Sequence, residues 1–547
     1  MHRFLACALA LLVAGCTKVG TQSDPQSPGG SGGRHPWTKP HVLRIGIQAD
    51  ANTMNTLISS NTTEAMLTRL TNDGLVTVDG HGRPVPMLAA EIPTLENGGI
   101  SKDGLTLTYH LRRGVLWQDG VPFTSADVKF TYQAIMNSAN NVISRQGYDL
   151  VRAVDTPDDH TVVFRMKQRF APAVNTLFAE SDSPYGIVPA HLLAKDANIN
   201  RVPYNSKPIG TGPFILKDWA RGDHMDFVAN PHYFLGAPKL KEIIVKVIPD
   251  ENTELNQLKT HEIDWQFEAS PQEYAQLKGV SDLNIVLQDR NEYERLEINN
   301  RRPPLDDVRV RQSLAYAIDT KKLTDDLTYG SATPADQDLP PFMWAHAQNI
   351  TRYPHDLVRA KALMAQAGWT PGPDGVLRKN GRRLSLEVTY NTSNATRRRG
   401  VVEVQAMLQQ LGVDTSVKPY IATLLFAPLG LGGILQSGKY DLAWSGWVAG
   451  IDPDQSSLFL CRARPPNGNN TTFYCNARMD ALQQTALTNF AQPIRKAAYA
   501  QIEALLTHDV PLIPLWWPRQ IQPVNPDFKG FEPNPVTATW NAYQWDI

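Results

Sequence analysis

Beyond His41 the apolar positions recur with two periods, and those periods name the elements. Val42-Leu43-Arg44-Ile45-Gly46-Ile47 reads as a strand, Thr62–Asn72 as a helix and Gly74–Val78 as a second strand closed by an Asp79-Gly80 turn. Leu105–Leu111 alternates strictly between apolar and polar, as a half-buried strand does. Gly114 and Asp119-Gly120 punctuate the next stretch; Thr124 with Asp127 three residues on approaches a capping box, and Val128, Tyr132 and Ile135 continue one helical face. Asn252–Trp265 reads as a helix that switches at its end to Ile263-Asp264-Trp265. Val310, Leu314, Ala317 and Ile318 form an apolar stripe at helical spacing, with Arg309 and Arg311 off it.

Leu384–Tyr390 alternates again, runs into the polar loop Asn391–Asn394, and is followed by an amphipathic helix over Val401–Leu411 ended by Gly412, then a strand at Val413–Val417. This strand–helix–strand rhythm predicts an α/β lobe. Ligands in such sheets sit beyond the carboxyl ends of strands, which makes Tyr390 and Asn391 pocket candidates; an exposed cap is the competing reading. Arg397–Arg399 reads as a solvated helix face. In Tyr440–Cys475, Leu442 and Trp444 alternate as in a strand that Gly446, Gly450 and Pro453 should break. An aromatic ring beside a glycine loop suits one wall of a small-ligand site, and equally a core ring beside a surface turn.

The N-terminus adds a compartment. A short basic start, an apolar run from Phe4 to Ala14 too short to span a bilayer, and small residues ahead of Cys16 form a secretory signal. The arrangement resembles a bacterial lipoprotein cleavage box, which implies that Cys16 carries the lipid. Thr17–Pro36, rich in Gly, Ser, Gln and Pro, reads as a flexible tether. Of four cysteines, Cys7 lies in the signal and Cys16 at the lipid site. Cys461 and Cys475 remain as an even pair in an oxidising compartment; two metal-binding thiols would lack a second ligand pair. The 547 residues, 42% hydrophobic, suffice for more than one domain, and 53 basic against 54 acidic residues give no electrostatic case for nucleic acid. No cofactor or metal site is expected. Gly433–Tyr440 has phosphate-loop spacing but puts Tyr440 where a Ser or Thr must bind magnesium, His261-Glu262 lacks a second histidine, and no G-x-S-x-G turn occurs.

Leu111–Ile135, Val188–Leu193, Pro208–Phe214, Asn230–Phe234 with Pro238, Asp306–Asp319, Ala365–Trp369, Trp447–Cys475 and Pro511–Trp516 resemble, in the same order, the motifs of the extracytoplasmic peptide-, dipeptide- and nickel-binding proteins of ABC importers, solute-binding family 5. The resemblance implies a two-lobed α/β fold of the periplasmic-binding-protein type (type II, cluster C) with an extra inserted domain. The implied division is a signal peptide over 1–15, a tether over 16–40, a first lobe from 41–83, 186–291 and 510–547, an inserted domain over 84–185, and a second lobe over 292–509. It implies a monomeric binding protein rather than an enzyme, hinge closure on a solute between the lobes, and delivery to a membrane permease.

The resemblance also places Trp447 and the following loop in the cleft. In peptide-binding relatives an aspartate three residues after this tryptophan pairs with the peptide's amino group; here that position is Gly450, with Asp452 and Asp454 the next acids. Either Asp452 reaches in, or the ligand has no free amine and Trp444, Trp447, Trp516 and Trp517 stack on a sugar or another solute. A second departure is Thr53-Met54-Asn55, where relatives often carry Asp-Pro. Peptide import is the first reading, a non-peptide solute the second, and a sensory lipoprotein or secreted hydrolase the third.

Overall fold

The computed structural model describes residues 33–59, 61–179, 185–448 and 450–547. The signal segment and Cys16 lie outside the described residues. One twelve-stranded mixed sheet runs through the molecule, and its organising strand is the thirteen-residue Leu512–Val524. The first half of that strand pairs antiparallel with Glu292–Ile298 and Ala332–Pro334, and its second half with Asn284–Asp289 and Trp265. The chain passes from one half of the sheet to the other between Asp289 and Glu292 and along Trp516–Gln520. Arg290 sits at this passage and donates to Glu268 Oε1 at 3.0 Å.

The strand Val42–Ile47 forms as its pattern predicts and pairs parallel with Glu242–Val247. Around it, Leu43, Ile45, Phe214, Phe227, Ile243, Val245, Trp265 and Trp545 make one core. A second core holds Tyr109, Trp117, Phe123, Phe164 and Phe178 over the three-stranded sheet Thr106–His110, Thr161–Met166, Val151–Asp158, and draws on Leu57 and Leu75 before it and Ile187 and Tyr204 after it. The capping reading at Thr124 is met: Asp127 Oδ2 accepts from Thr124 N at 2.9 Å. In the remaining lobe, Ser385–Asn391 pairs parallel with Asp414–Tyr420 and the helix Ala395–Leu411 crosses between them, ended by Gly412 in the left-handed region (φ 98°).

Three sequence expectations change. The Asn252–Trp265 helix is shorter, Glu251–Lys259; the chain turns at His261 (φ 60°) and re-enters the sheet at Trp265. The strand Leu442–Val448 continues through Gly446 instead of breaking there. The glycine is needed for space: a Cβ at Gly446 would lie 2.7 Å from the Arg397 guanidinium. Finally, Arg397 does not belong to a solvated face. It is buried and grips Glu294 with two bonds, 2.9 and 2.7 Å, while Arg398 and Arg399 are exposed as expected.

Gly210 and Gly212 form a tight connection against the end of a helix. A Cβ at Gly210 would fall 1.7 Å from Thr71 O, and Gly212 N donates to that same carbonyl at 2.8 Å, closing the end of the Thr62–Thr71 helix.

Candidate functional site

The strand Leu442–Val448 lies antiparallel to Glu292–Ile298, pairing Trp444 with Leu296, Gly446 with Glu294 and Trp447 with Tyr293. Side chains alternate across a strand, so two tryptophans three residues apart point to opposite faces of the sheet. This parity decides which of them can meet a ligand. Trp444 is fully buried; its N–H donates to Glu294 Oε2 at 2.7 Å, and its ring meets Trp516 edge-on with centroids 5.5 Å apart. Gly400 makes room for it, since a Cβ there would sit 2.3 Å from the ring. Trp444 and Trp516 are thus core partners, and the expectation that they stack on a ligand is corrected: neither face of Trp444 is open.

Trp447 is only partly buried, on the other face. The Arg295 guanidinium lies 5.4 Å from its ring centroid. Arg295 is itself held by Glu297 (2.8 Å), the Tyr293 hydroxyl (2.9 Å) and Ser445 Oγ (3.2 Å). Glu297 also accepts from Ser445 Oγ at 2.6 Å and Thr471 Oγ1 at 2.5 Å. A fully bonded network of this kind fixes the ring from behind. The clue in the sequence was Arg295 and Glu297 at alternate positions of one strand face.

Trp447, Val448, Gly450, Asp452, Asp454 and Ser457 line one side of a narrow cavity of about 50 Å³; Gln146, Phe170, Asn175 and Thr176 close the other. The site is a seam between the loop after Leu442–Val448 and the inserted segment. No motif marked the four residues of the far wall. Asn175 Oδ1 is buried there without a hydrogen-bond partner, an acceptor that waits for a donor.

The two acids in this loop have different fates. Asp452 is buried and grips Arg495 at 2.9 and 2.5 Å; Arg495 also donates to Ala486 O at 3.0 Å and lies over the Trp344 ring. Burial opposes the charge on Arg495, but Asp452 beside it outweighs that and drives its pKa up. Asp452 lines the seam, as expected of a cleft residue, but its charge is already matched by Arg495. Asp454, partly buried, accepts from Ser456 N at 2.9 Å; the Arg495 charge reaches it, but the Arg495 salt bridge is made to Asp452. Burial pushes its carboxyl above the usual range, with the Asp452 charge adding to the effect.

Tyr390 belongs to the core of its lobe. Asn391 Oδ1 accepts from Asn394 N (3.1 Å) and Ser393 Oγ (2.9 Å), so it caps a turn. Neither lines the seam. Trp517 lies apart from it, in the wall of a different cavity. Tyr440, in the phosphate-loop-like stretch, is buried and donates to Thr471 O at 2.7 Å, a structural role. Cys461 and Cys475 are disulfide-bonded, as the cysteine count suggested, and close the loop next to the seam. Among the described residues there is no cluster of potential metal ligands, and no helix is long and apolar enough to cross a membrane.

Comparison with known proteins gives this geometry a context. The family described as bacterial extracellular solute-binding proteins, family 5, matches residues 83–469. The oligopeptide-binding protein AppA of Bacillus subtilis is 26% identical over 98% of this chain and 96% of its own length. The glutathione-binding protein GsiB of Salmonella choleraesuis is 27% identical over 80% of this chain and 83% of its own. Among solved structures, AppA from Bacillus subtilis in complex with a nonapeptide superposes with a TM-score of 0.74 at 25% identity, covering 93% of this chain and 99% of that one. NikZ from Campylobacter jejuni in complex with Ni(L-His) gives 0.75 at 26% identity, covering 93% and 100%.

Proposed function

This chain belongs to the bacterial extracellular solute-binding proteins of family 5, and we propose that it is a lipid-anchored peptide receptor of an ABC importer. In this reading it captures a short peptide between its two lobes and presents the closed form to a membrane permease. Cys16 carries the anchor, and 17–40 tethers the binding domain to it.

The observation that carries the reading is the seam at Trp447. A ring fixed from behind offers flat apolar area at little entropic cost. Beside it stand a partly buried carboxylate with no salt bridge of its own, Asp454, and an unpartnered acceptor, Asn175 Oδ1, on the facing segment. An ammonium group satisfies both, because a buried charge is costly until it is paired. Asp454 thereby takes the role that the residue at Gly450 has in peptide-binding relatives. At about 50 Å³ the seam is well below the roughly 300 Å³ at which ligand pockets begin. Ligand entry then requires the loop and the inserted segment to separate, and ligand must favour the closed state over the open one.

Two of the four tryptophans that suited sugar stacking are core partners, which weakens the oligosaccharide reading. A metal–amino-acid chelate is kept as the second reading on the likeness to NikZ.

The test is a thermal-shift screen of the protein against pooled peptides, oligosaccharides and nickel–histidine. A ligand at a hundredfold excess over its Kd stabilises by about 2.7 kcal/mol. Peptides should raise Tm, N-acetylated peptides should do so less, and Asp454→Asn should remove that preference. A shift with nickel–histidine alone, or with oligosaccharides alone, would overturn the peptide assignment.

A further inference from the structure

One feature that the peptide reading leaves unused is a cavity of about 530 Å³ formed wholly by residues 315–517. Its walls include Pro334, Ala335, Phe459, Leu506, Leu512 and Trp517. Asp336 and Arg352 stand at its exposed rim, paired at 2.9 Å. Pockets of this size take small organic molecules.

Gln337, His346 and Tyr353 also line it, together with two buried carboxyl groups. Asp338 and Glu503 are 6% and 0% exposed. Gln455 Nε2 donates to one oxygen of each, Asp338 Oδ2 at 2.7 Å and Glu503 Oε1 at 2.8 Å. No other N–H or O–H of the protein reaches Asp338 Oδ1 or Glu503 Oε2, and the two carboxyls are hydrogen-bonded to each other. The Trp517 indole N–H is likewise buried without an acceptor. Arg295 is the cation whose charge reaches Asp338, but Arg295 is spoken for by Glu297 at 2.8 Å. Tyr293 adds no positive charge, and Asp336 adds a negative one toward Glu503.

Two adjacent carboxyls cannot both ionise cheaply, so the pair shares one proton and keeps one negative charge. Burial pushes both groups up, in the same sense. The remaining charge has no salt bridge: Arg352 in the lining is paired with Asp336, and His346 Nδ1 meets Leu339 O at 2.8 Å. What would complete the site is a cation with an apolar body.

We propose that this cavity is a second ligand site, separate from the seam at Trp447, which takes a small organic monoamine: its ammonium lies on Asp338 and Glu503 and its body against Phe459, Leu506 and Leu512. An acceptor on the ligand would meet the Trp517 N–H. The proposal does not depend on the identity of the solute bound at Trp447.

Tyramine and its neutral isostere tyrosol test it, by calorimetry or ligand-observed NMR on the intact protein at neutral pH. Tyramine should bind saturably at millimolar concentration or better, at least tenfold tighter than tyrosol. Asp338→Asn with Glu503→Gln should reduce tyramine binding at least tenfold. Ala335→Phe, which fills the cavity and leaves both acids in place, should do the same. Trp447→Ala should leave it unchanged. If the double variant fails to fold by circular dichroism, Ala335→Phe decides. Equal binding of tyramine and tyrosol, no saturable tyramine binding, or full binding by Ala335→Phe would each overturn the proposal.

Discussion

Arg495 holds Asp452 through two guanidinium nitrogens at 2.9 and 2.5 Å, and neither side chain is more than 8% exposed. Removing one member of such a pair strands the other charge in the interior, at a cost of about 3–5 kcal/mol. Asp452→Asn should therefore lower the denaturant midpoint strongly. Peptide affinity of the molecules that remain folded should change by less than about threefold, because Asp452 is not the amine partner. A loss of affinity with an unchanged midpoint would reverse this assignment.

Trp444 and Trp447 should separate stability from binding. Trp444→Ala empties a fully buried site and removes one of the donors to Glu294, and is expected to cost about 3–5 kcal/mol. Trp447→Ala removes a half-buried ring and one cation–π contact, worth about 1 kcal/mol. It should abolish the ligand-induced rise in Tm while leaving the ligand-free Tm within a few degrees. Paired melts with and without peptide read both effects.

The Cys461–Cys475 bond closes a loop of fourteen residues beside the seam. In the loop-entropy account a closure of this length stabilises by about 3 kcal/mol. Cys461→Ser with Cys475→Ser should lower the unfolding free energy by that amount, and reductant should destabilise the wild type but not the variant.

Asp73 gives a pH dependence with a defined sign. It is 5% exposed, accepts from Thr211 Oγ1 (3.1 Å) and the Tyr233 hydroxyl (3.2 Å), and burial raises its pKa from 3.8 to about 6 despite these bonds and the Arg69 charge. The folded state thus holds this proton more tightly than the unfolded chain. The associated stabilisation is complete below pH 3.8 and is lost as pH rises through 6. Two pK units correspond to about 3 kcal/mol. Urea titrations at pH 4 and pH 7 should show the wild type losing stability relative to Asp73→Asn by an amount of that order; a constant difference would place the proton elsewhere.

Local pattern determined the elements of this protein. The alternation at Val42–Ile47 and Leu105–Leu111, the cap at Thr124–Asp127 and the stop at Gly412 are each written in a few neighbouring residues, because strand pairing and helix capping are short-range chemistry. The count of cysteines likewise left Cys461 and Cys475 to each other. Tertiary structure decided which side chains meet. Trp444 and Trp447 look alike in the sequence, and the parity of their strand against Glu292–Ile298 sends one to the core and the other to the seam. Asp452 and Asp454 share one turn, yet Arg495 arrives from 43 residues away and forms its salt bridge with the first. Asn175 carries no motif at all; its place opposite Gly450 exists only because the inserted segment folds back onto the loop. Burial and charge pairing are relations between distant parts of the chain, and no window along the sequence contains them.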